Sequence, residues 1–147
     1  MKRGDLAPDF ELPDTDGSPV RLSTLLRSGP VAIFFSPLAG SGGCTAELCN
    51  VRDRGADFAA AGAQRVGISR DTVAAQRAFA AANGFDFPLL SDADGAVCEA
   101  YGVRRGWAAA PVKRRTVVIG ADGVVSDVVR SELRMGVHVD GALEALR

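Results

Sequence analysis

The strongest constraint on the fold is a run of five consecutive apolar residues, Val31–Phe35, with no polar residue alternating among them. A strand that is buried on both faces has this pattern, and such strands occur in parallel sheets that helices cover on both sides. Pro37 ends the run, and helical spacing begins around Cys44 and continues to Ala61. The sequence therefore predicts a buried strand that is followed by a helix.

The alternation of strand and helix continues along the chain. Further strands are predicted at residues 65–69 and 87–90. The helix between them is expected to begin after Asp71 or Thr72, either of which can cap it, and to end at Gly84. Strands that alternate with helices in this way indicate a parallel sheet with helices on both of its faces.

The C-terminal part of the chain adds antiparallel strands. Strands at residues 116–119 and 124–129 flank a turn sequence that is typical of a β-hairpin. A helix is predicted around residues 97–101, and the last helix is predicted at 139–146. Near the N-terminus, Ser23 is expected to cap a short helical turn. The predicted fold class is α/β, with a mixed central sheet flanked by helices.

Composition narrows the range of functions. The 147 residues fit a single domain, 1–147, and the formal net charge of −1 excludes a strongly basic nucleic-acid binder. One histidine cannot build a multi-histidine metal site, and three cysteines are too few for a secreted disulfide scaffold. No segment reaches the roughly 18 apolar residues that a membrane span needs. We predict a cytoplasmic protein without metal, cofactor, nucleic-acid or membrane partner, whose cysteines are kept reduced.

The position of Cys44 suggests chemistry. This residue follows the buried strand and lies in the first turn of the next helix, where backbone N–H groups lack intrahelical partners and the helix dipole is positive. Both effects favour a thiolate, and such sites lower a cysteine pKa from about 8.5 to between roughly 3.5 and 7.5. A small buried core cysteine that happens to lie at a helix start is an equally open interpretation from position alone.

The spacing between Cys44 and Cys49 restricts how these two residues could form a disulfide. Cys49 lies five residues after Cys44, which in an intact helix separates the two Cα atoms by roughly 8.6 Å. A disulfide needs about 4.4–6.8 Å, so these two cysteines can bridge only if the helix unwinds locally. This geometry favours a bond that forms and breaks over a permanent one, although Cys49 could also be a core residue.

Cys98 lies among apolar residues of a helix and is interpreted as buried and inert.

Around these cysteines the chain resembles the peroxiredoxins, in particular the atypical two-cysteine type called bacterioferritin-comigratory protein or thiol peroxidase Q. That family carries a proline, three residues, a threonine or serine, two residues and then the reactive cysteine, which Pro37, Ser41 and Cys44 match. Further matching stretches follow in order over nearly the whole chain. They lie at residues 4–10, 43–47, 52–53, 67–71, 89–92, 101–103 and 114–119.

The resemblance implies a thioredoxin-like fold and the reduction of hydrogen peroxide and organic hydroperoxides. By this likeness Cys44 is the peroxidatic cysteine and Cys49 the resolving one, with which it forms an intramolecular disulfide. The disulfide is then reduced by thioredoxin or a similar dithiol reductase. The family's active-site arginine matches Arg114, which leaves Arg115 as an exposed charge. Glu47 matches an acidic position near the site.

Thiol ionisation by itself supplies little of the catalysis that a peroxidase needs. Lowering a thiol pKa from about 8.5 to about 6 raises the thiolate fraction at pH 7.4 only about 14-fold, and a less basic thiolate is also a weaker nucleophile. The remainder must come from donors fixed around the two peroxide oxygens. We expect these to be Arg114, the Ser41 hydroxyl and the backbone N–H groups of Gly43 and Cys44, with Pro37 shielding the sulfur from water.

The sequence is also compatible with two other functions. The chain could be a general thiol–disulfide oxidoreductase on the same fold, or a redox sensor or binding module that passes oxidation to a partner without catalysis. The basic stretch at residues 104–115 is interpreted as a solvated loop, with docking of an acidic reductase as the functional option. His138 is expected to be a surface or capping residue. A monomer and a weak dimer are both compatible with the sequence.

Overall fold

We analysed a computed structural model of the chain, which describes residues 1–37, 42–103, 112–131 and 136–146. The elements alternate between strands and helices, and a 3₁₀ turn at Leu26–Ser28 follows the first helix. In chain order they are β1 (Glu11–Pro13), β2 (Pro19–Arg21), α1 (Leu22–Leu25), β3 (Val31–Phe35), α2 (Gly42–Asp53), α3 (Gly55–Ala60), β4 (Gln64–Ser69), α4 (Val73–Asn83), β5 (Leu89–Ser91), α5 (Ala96–Ala100), β6 (Arg115–Ile119), β7 (Val125–Arg130) and α6 (Gly136–Ala145).

A five-stranded mixed sheet forms the centre of the fold, with the strand order β5-β4-β3-β6-β7. The strands β3, β4 and β5 are parallel, whereas β6 is antiparallel to β3 and β7 is antiparallel to β6. The predicted α/β class with a mixed sheet and a late hairpin is therefore confirmed. The strands β1 and β2 form a separate antiparallel pair.

The strand β3 separates two hydrophobic cores because its side chains alternate between the two faces of the sheet. Ile33 and Phe35 pack into one core together with the N-terminal segment and α5. Ala32 and Phe34 pack into the other core, which contains buried residues of α2, α3, α4 and α6. All five residues of β3 are fully buried, as the continuous apolar run predicts. The thiol of Cys44 belongs to the second core.

Several predicted element boundaries change in the structure. The continuous helix expected to Ala61 is two helices, α2 and α3, because Arg54 has a non-helical backbone (φ −96°, ψ 18°) and the poor helix former Gly55 follows. The hydroxyl of Thr72, and not Asp71, caps α4 by accepting a hydrogen bond from the backbone of Ala75. Gly84 ends α4 in the left-handed conformation, as predicted.

The N-terminal helical turn is capped differently from the prediction. Ser23 lies inside α1 and does not cap it, since the helix begins one residue earlier, at Leu22. The backbone N–H of Ser23 instead donates to the carboxylate of Asp9 at 2.9 Å. The side chain of Asp9, fourteen residues earlier in the chain, therefore satisfies a backbone N–H in the first turn of α1, whereas the sequence pattern predicted that the side chain of Ser23 would do so.

Candidate active site

The sheet topology brings Cys44 and Arg114 together although 70 residues separate them in the chain. The chain leaves the carboxyl end of β3 and enters α2, so the first turn of that helix lies beyond this end of the strand. Because β6 is antiparallel to β3, its first residue, Arg115, pairs with the last residue of β3, Phe35. Arg114 immediately precedes β6 and therefore lies beside the start of α2. One guanidinium nitrogen, Nη2, is 3.3 Å from the Cys44 sulfur.

Both members of this contact are shielded from solvent. Cys44 is fully buried and Arg114 is 4% exposed. A hydrogen bond from a cationic donor to a sulfur is stronger in such a medium of low polarity than it is at a surface. The neighbouring Arg115 makes no such contact; it is half-buried and donates to the Arg114 backbone carbonyl at 2.7 Å. The expectation that Arg115 is an exposed charge is therefore wrong.

Glu47 completes a buried ion pair with Arg114. Its carboxylate oxygen Oε2 accepts from Arg114 Nη1 at 3.0 Å, and its side chain has no exposed surface. The reason lies in helical spacing, since Cys44, Glu47, Leu48 and Val51 form the buried stripe of α2. Burial alone lowers the pKa of the Arg114 guanidinium, but the charges of Glu47 and Cys44 outweigh it and hold the pKa above its ordinary value. Arg114 is a permanent cation next to the sulfur.

Replacing Glu47 by glutamine is expected to lower the free energy of unfolding by about 3–5 kcal/mol, because the guanidinium of Arg114 is left buried without this anion. The matched control is Asp53→Asn, which removes a carboxylate from the same helix. Asp53 pairs with Arg52 at a similar distance, 2.9 Å, but at the surface. Urea denaturation should separate the two variants clearly. Equal unfolding midpoints for Glu47→Gln and Asp53→Asn would contradict the expected contribution of the buried ion pair to stability.

His138 was expected at the surface or at a cap, and the structure corrects this. The side chain is fully buried in α6, with its Nε2 atom 4.0 Å from Glu47 Oε2. The reason is that α6 begins at Gly136, three residues before the predicted start. His138 and Val139 then lie one turn before Ala142 and Leu143, on the buried face of α6. The helical pattern in the sequence would have revealed this if it had been extended back by one turn.

The remaining predicted site residues differ in burial and in whether they belong to the described part of the chain. Pro37 is half-buried just beyond β3, and Gly43 is half-buried in the first turn of α2. Ser41 lies outside the described residues, as do residues 104–111 of the basic stretch. Cys49 is half-buried on α2, with its sulfur 3.8 Å from the side-chain oxygen of Asn83.

The three cysteines are not bonded to one another in this structure. Because α2 is helical from Gly42 to Asp53, Cys44 and Cys49 lie on one unbroken helix with the five-residue offset that prevents a direct bond. Cys98 is fully buried in α5, as predicted, and belongs to the core on the opposite side of the sheet from Cys44. The structure thus unites Cys44, Glu47 and Arg114 and holds Cys49 apart from them.

Within residues 1–37, 42–103, 112–131 and 136–146, no cluster of histidine, cysteine, aspartate or glutamate side chains has the arrangement of a metal site. Over the same ranges, no helix is both long and apolar enough to cross a bilayer.

A buried thiol in the first turn of the helix after the central strand, held against a permanent cation, defines a thiol-based redox site on a thioredoxin-like fold. Comparison with known proteins gives the family. Residues 3–128 match the AhpC/TSA family. The chain belongs to this family and is a thiol peroxidase of the peroxiredoxin type. The resemblance found in the sequence is therefore confirmed at the level of family, fold and reaction class.

Three relatives illustrate the match. Peroxiredoxin Bcp of Escherichia coli is 36% identical over 152 residues, which cover 100% of this chain and 96% of that protein. The crystal structure of peroxidoxin BcpB from Mycobacterium tuberculosis is 52% identical, covers 100% of this chain and 97% of that chain, and superposes with a TM-score of 0.96. A structure of the Xanthomonas campestris bacterioferritin comigratory protein, studied for alkyl peroxide reduction, is 30% identical. It covers 93% of this chain and 89% of that chain, and it superposes with a TM-score of 0.84.

Proposed function

We propose that Cys44 is the peroxidatic cysteine, that Arg114 is the cation that activates it, and that Cys49 resolves the oxidised form. The substrates are hydrogen peroxide and small organic hydroperoxides. The observation that carries the proposal is the 3.3 Å contact between Arg114 Nη2 and the Cys44 sulfur inside a water-excluded site. Position at the helix start and the neighbouring cation match what a reactive cysteine requires.

In the first step the Cys44 thiolate attacks one peroxide oxygen. A sulfur–oxygen bond forms, the oxygen–oxygen bond breaks, and the departing oxygen leaves with its electron pair and takes up a proton as water or alcohol. Cys44 becomes a sulfenic acid, which is the first stage of cysteine oxidation. Negative charge spreads from the sulfur to the departing oxygen during this step, so a fixed cation beside both atoms stabilises the transition state.

Glu47 fixes the direction in which Arg114 points. The carboxylate holds Nη1 at 3.0 Å, and the rigid planar fork of the guanidinium then directs Nη2 toward the sulfur. The arginine therefore needs little reorganisation when the peroxide arrives. A lysine ammonium lacks this planar fork, so it would not fix the two contacts in the same geometry.

Peroxide must reach a sulfur that side chains cover completely. A small hydroperoxide gains access when a neighbouring side chain moves, and the same cover keeps bulk water away from the thiolate. We propose that Pro37 contributes to this cover. We also assign the Ser41 hydroxyl and the backbone N–H groups of Gly43 and Cys44 as further donors to the peroxide oxygens, because the first turn of a helix directs N–H groups outward.

Cys49 then condenses with the sulfenic acid of Cys44. A disulfide forms and water is released, with the thiol of Cys49 supplying the proton. This bond requires the start of α2 to unwind, and two glycines at its first positions lower the cost of unwinding, since each is about 1 kcal/mol less favourable in a helix than alanine. Thioredoxin or a similar dithiol reductase would then reduce the disulfide, a cycle suited to the reducing cytoplasm.

Replacing Cys49 by serine is expected to leave a long-lived sulfenic acid on Cys44 after one equivalent of peroxide, because the condensing thiol is gone. Trapping with dimedone followed by mass spectrometry measures the adduct. The wild-type chain should give little adduct and an internal disulfide between residues 44 and 49. Cys98→Ser is the control and should behave like wild type.

The proposal fails if wild type accumulates as much adduct as Cys49→Ser, or if peroxide forms no adduct on Cys44 in either protein. A coupled assay with thioredoxin and its reductase then tests turnover. Peroxide-dependent oxidation of the reductant supports a peroxidase, whereas reduction of insulin without peroxide would indicate a general thiol–disulfide oxidoreductase. Oxidation of Cys44 without turnover would indicate a sensor.

A further inference from the structure

Two contacts attach the half of α2 that carries Cys49 to the end of α4. Arg52 lies one turn after Cys49, and its guanidinium Nη1 donates to the backbone carbonyl of Asn83 at 2.6 Å. Asn83 is the last residue of α4, where carbonyls lack partners within the helix and the helix dipole favours a cation. The side-chain oxygen of Asn83 lies 3.8 Å from the Cys49 sulfur and accepts from its thiol.

The side-chain amide of Asn83 is fixed in the orientation that this contact needs. Its Nδ2 atom donates to the backbone carbonyl of Phe79, one turn earlier in α4, at 2.9 Å. A carbonyl can only accept a hydrogen bond, so the amide nitrogen must face Phe79 and the amide oxygen must face the other way, toward Cys49. The position of the Cys49 thiol is therefore set by a side chain that its own helix already holds.

The two halves of α2 bury different amounts of apolar surface. In the second half, Leu48 and Val51 are fully buried in the core that α2 shares with α3, α4 and α6. The guanidinium of Arg65 on β4 also donates to the Val51 carbonyl at 3.3 Å. Among residues 42–46, all of which the structure describes, only Cys44 is buried. Unwinding the first turn of α2 therefore exposes less apolar surface than detaching the second half would.

We propose that Arg52 and Asn83 are positioning residues for the resolving step. They hold the Cys49 half of α2 against α4, so that Cys49 stays in place and the oxidised Cys44 is brought to it. The inference rests on the proposed role of Cys49 as the resolving cysteine. In that step the sulfur–sulfur bond forms, the sulfur–oxygen bond of the sulfenic acid breaks, and the hydroxyl leaves as water with the proton of the Cys49 thiol. A thiol held at one place meets the moving sulfur at a high effective concentration.

The anchor acts on the second step of the reaction and not on the first. Within the described part of the chain, neither positioning residue forms a hydrogen bond or ion pair with Cys44 or Arg114, so the attack on peroxide does not depend on them. A sulfenic acid that is not resolved can react with a second peroxide and become a sulfinic acid. Fast resolution by a positioned Cys49 therefore protects Cys44 from this further oxidation.

Replacing Arg52 by alanine tests the anchor. The reduced protein is mixed rapidly with peroxide and quenched with acid, and mass spectrometry separates the thiol, the sulfenic acid and the disulfide. The attack on peroxide should keep its wild-type rate, whereas disulfide formation should slow by about tenfold, the effect of losing one charge-assisted hydrogen bond. At high peroxide the fraction of Cys44 found as sulfinic acid should rise. A general loss of stability would not be confined to the second step.

Three further variants assign the effect. Arg52→Lys keeps a cationic donor for the Asn83 carbonyl and should restore most of the rate of disulfide formation. Asn83→Ala removes the amide beside Cys49 but keeps the carbonyl, so it should slow this step by a smaller factor. Arg77→Ala removes an exposed arginine of α4 and should match wild type. Disulfide formation in Arg52→Ala that is as fast as in wild type would overturn the proposal, and a faster rate would indicate that Cys49 is the residue that moves.

Hydrogen exchange of the wild-type chain tests the same point without a substitution, and it decides if Arg52→Ala does not fold. When the disulfide forms, peptides that cover residues 43–47 should lose protection, whereas residues 50–54 and 80–85 should keep it. Loss of protection at residues 50–54 would overturn the proposal, because the second half of α2 would then have left α4.

Failure of this inference is distinguishable from failure of the proposed function. The same experiments show whether wild type forms the disulfide between residues 44 and 49 after one equivalent of peroxide. If it does not, Cys49 is not the resolving cysteine and the proposed function is wrong at that step. If the disulfide forms at the same rate in wild type and Arg52→Ala, only the inference about Arg52 and Asn83 is refuted.

Discussion

Replacing Cys44 by serine is expected to abolish peroxide reduction, with a fall in the second-order rate of at least about 10⁴-fold. Removal of a nucleophile costs most of the acceleration that an enzyme provides, and a serine hydroxyl is neither ionised near neutral pH nor able to accept an oxygen atom as sulfur does. The two side chains have nearly the same shape. The buried contact with Arg114 therefore keeps its geometry while the chemistry is lost.

Cys98→Ser is the matched control for this substitution. Cys98 is as completely buried as Cys44, but it lies in the core on the other side of the sheet. Any loss of activity caused merely by placing a hydroxyl in a core should appear in both variants. Peroxide consumption with dithiothreitol as reductant measures both. Full activity in Cys44→Ser, or equal loss in the two variants, would contradict the assignment of Cys44.

The central part of the fold could be predicted because local sequence determines it. The apolar run of β3 has no polar alternation, and a short run of this kind is typical of a strand buried on both faces. The hairpin of β6 and β7 carries its own turn signal, and the helix α4 carries its own end signal at Gly84. Each of these features is decided by neighbours within a few residues.

The contact between Cys44 and Arg114 could not be derived from local pattern, because it depends on the register of β6 against β3. The sequence singled out Arg114 only through its likeness to a family motif. The burial of Glu47, in contrast, could have been predicted from the local sequence of α2. A carboxylate at a position of the apolar stripe of α2 must find a cation, and the stripe can be read from the sequence.

His138 shows how a small error in a helix boundary changes the interpretation of a residue. A helix that starts at residue 139 leaves His138 outside it, where capping and exposure are the ordinary expectations. A helix that starts at Gly136 places the same ring on the buried face beside Glu47. Helix starts are the least certain part of any pattern, and here the start decides whether a titratable group belongs to the site.

Replacing Arg114 by alanine is expected to slow the attack on peroxide by about 10²–10³-fold, which is the usual effect of removing one donor that stabilises developing negative charge. It should also destabilise the fold, because the carboxylate of Glu47 remains buried without its guanidinium. The two effects are separated by measuring the rate of Cys44 oxidation by rapid mixing at a temperature where circular dichroism shows the variant to be folded.

Two further variants assign the loss to the guanidinium fork. Arg114→Lys keeps the charge but lacks the planar fork that fixes both contacts, so its rate should fall between those of alanine and wild type. Arg115→Ala removes the adjacent arginine, whose contact is with the Arg114 backbone and not with the sulfur, and should leave the rate nearly unchanged. If folded Arg114→Ala reacts as fast as wild type, the cation does not activate the thiolate. In that case the backbone donors of the first helical turn would have to supply the stabilisation alone.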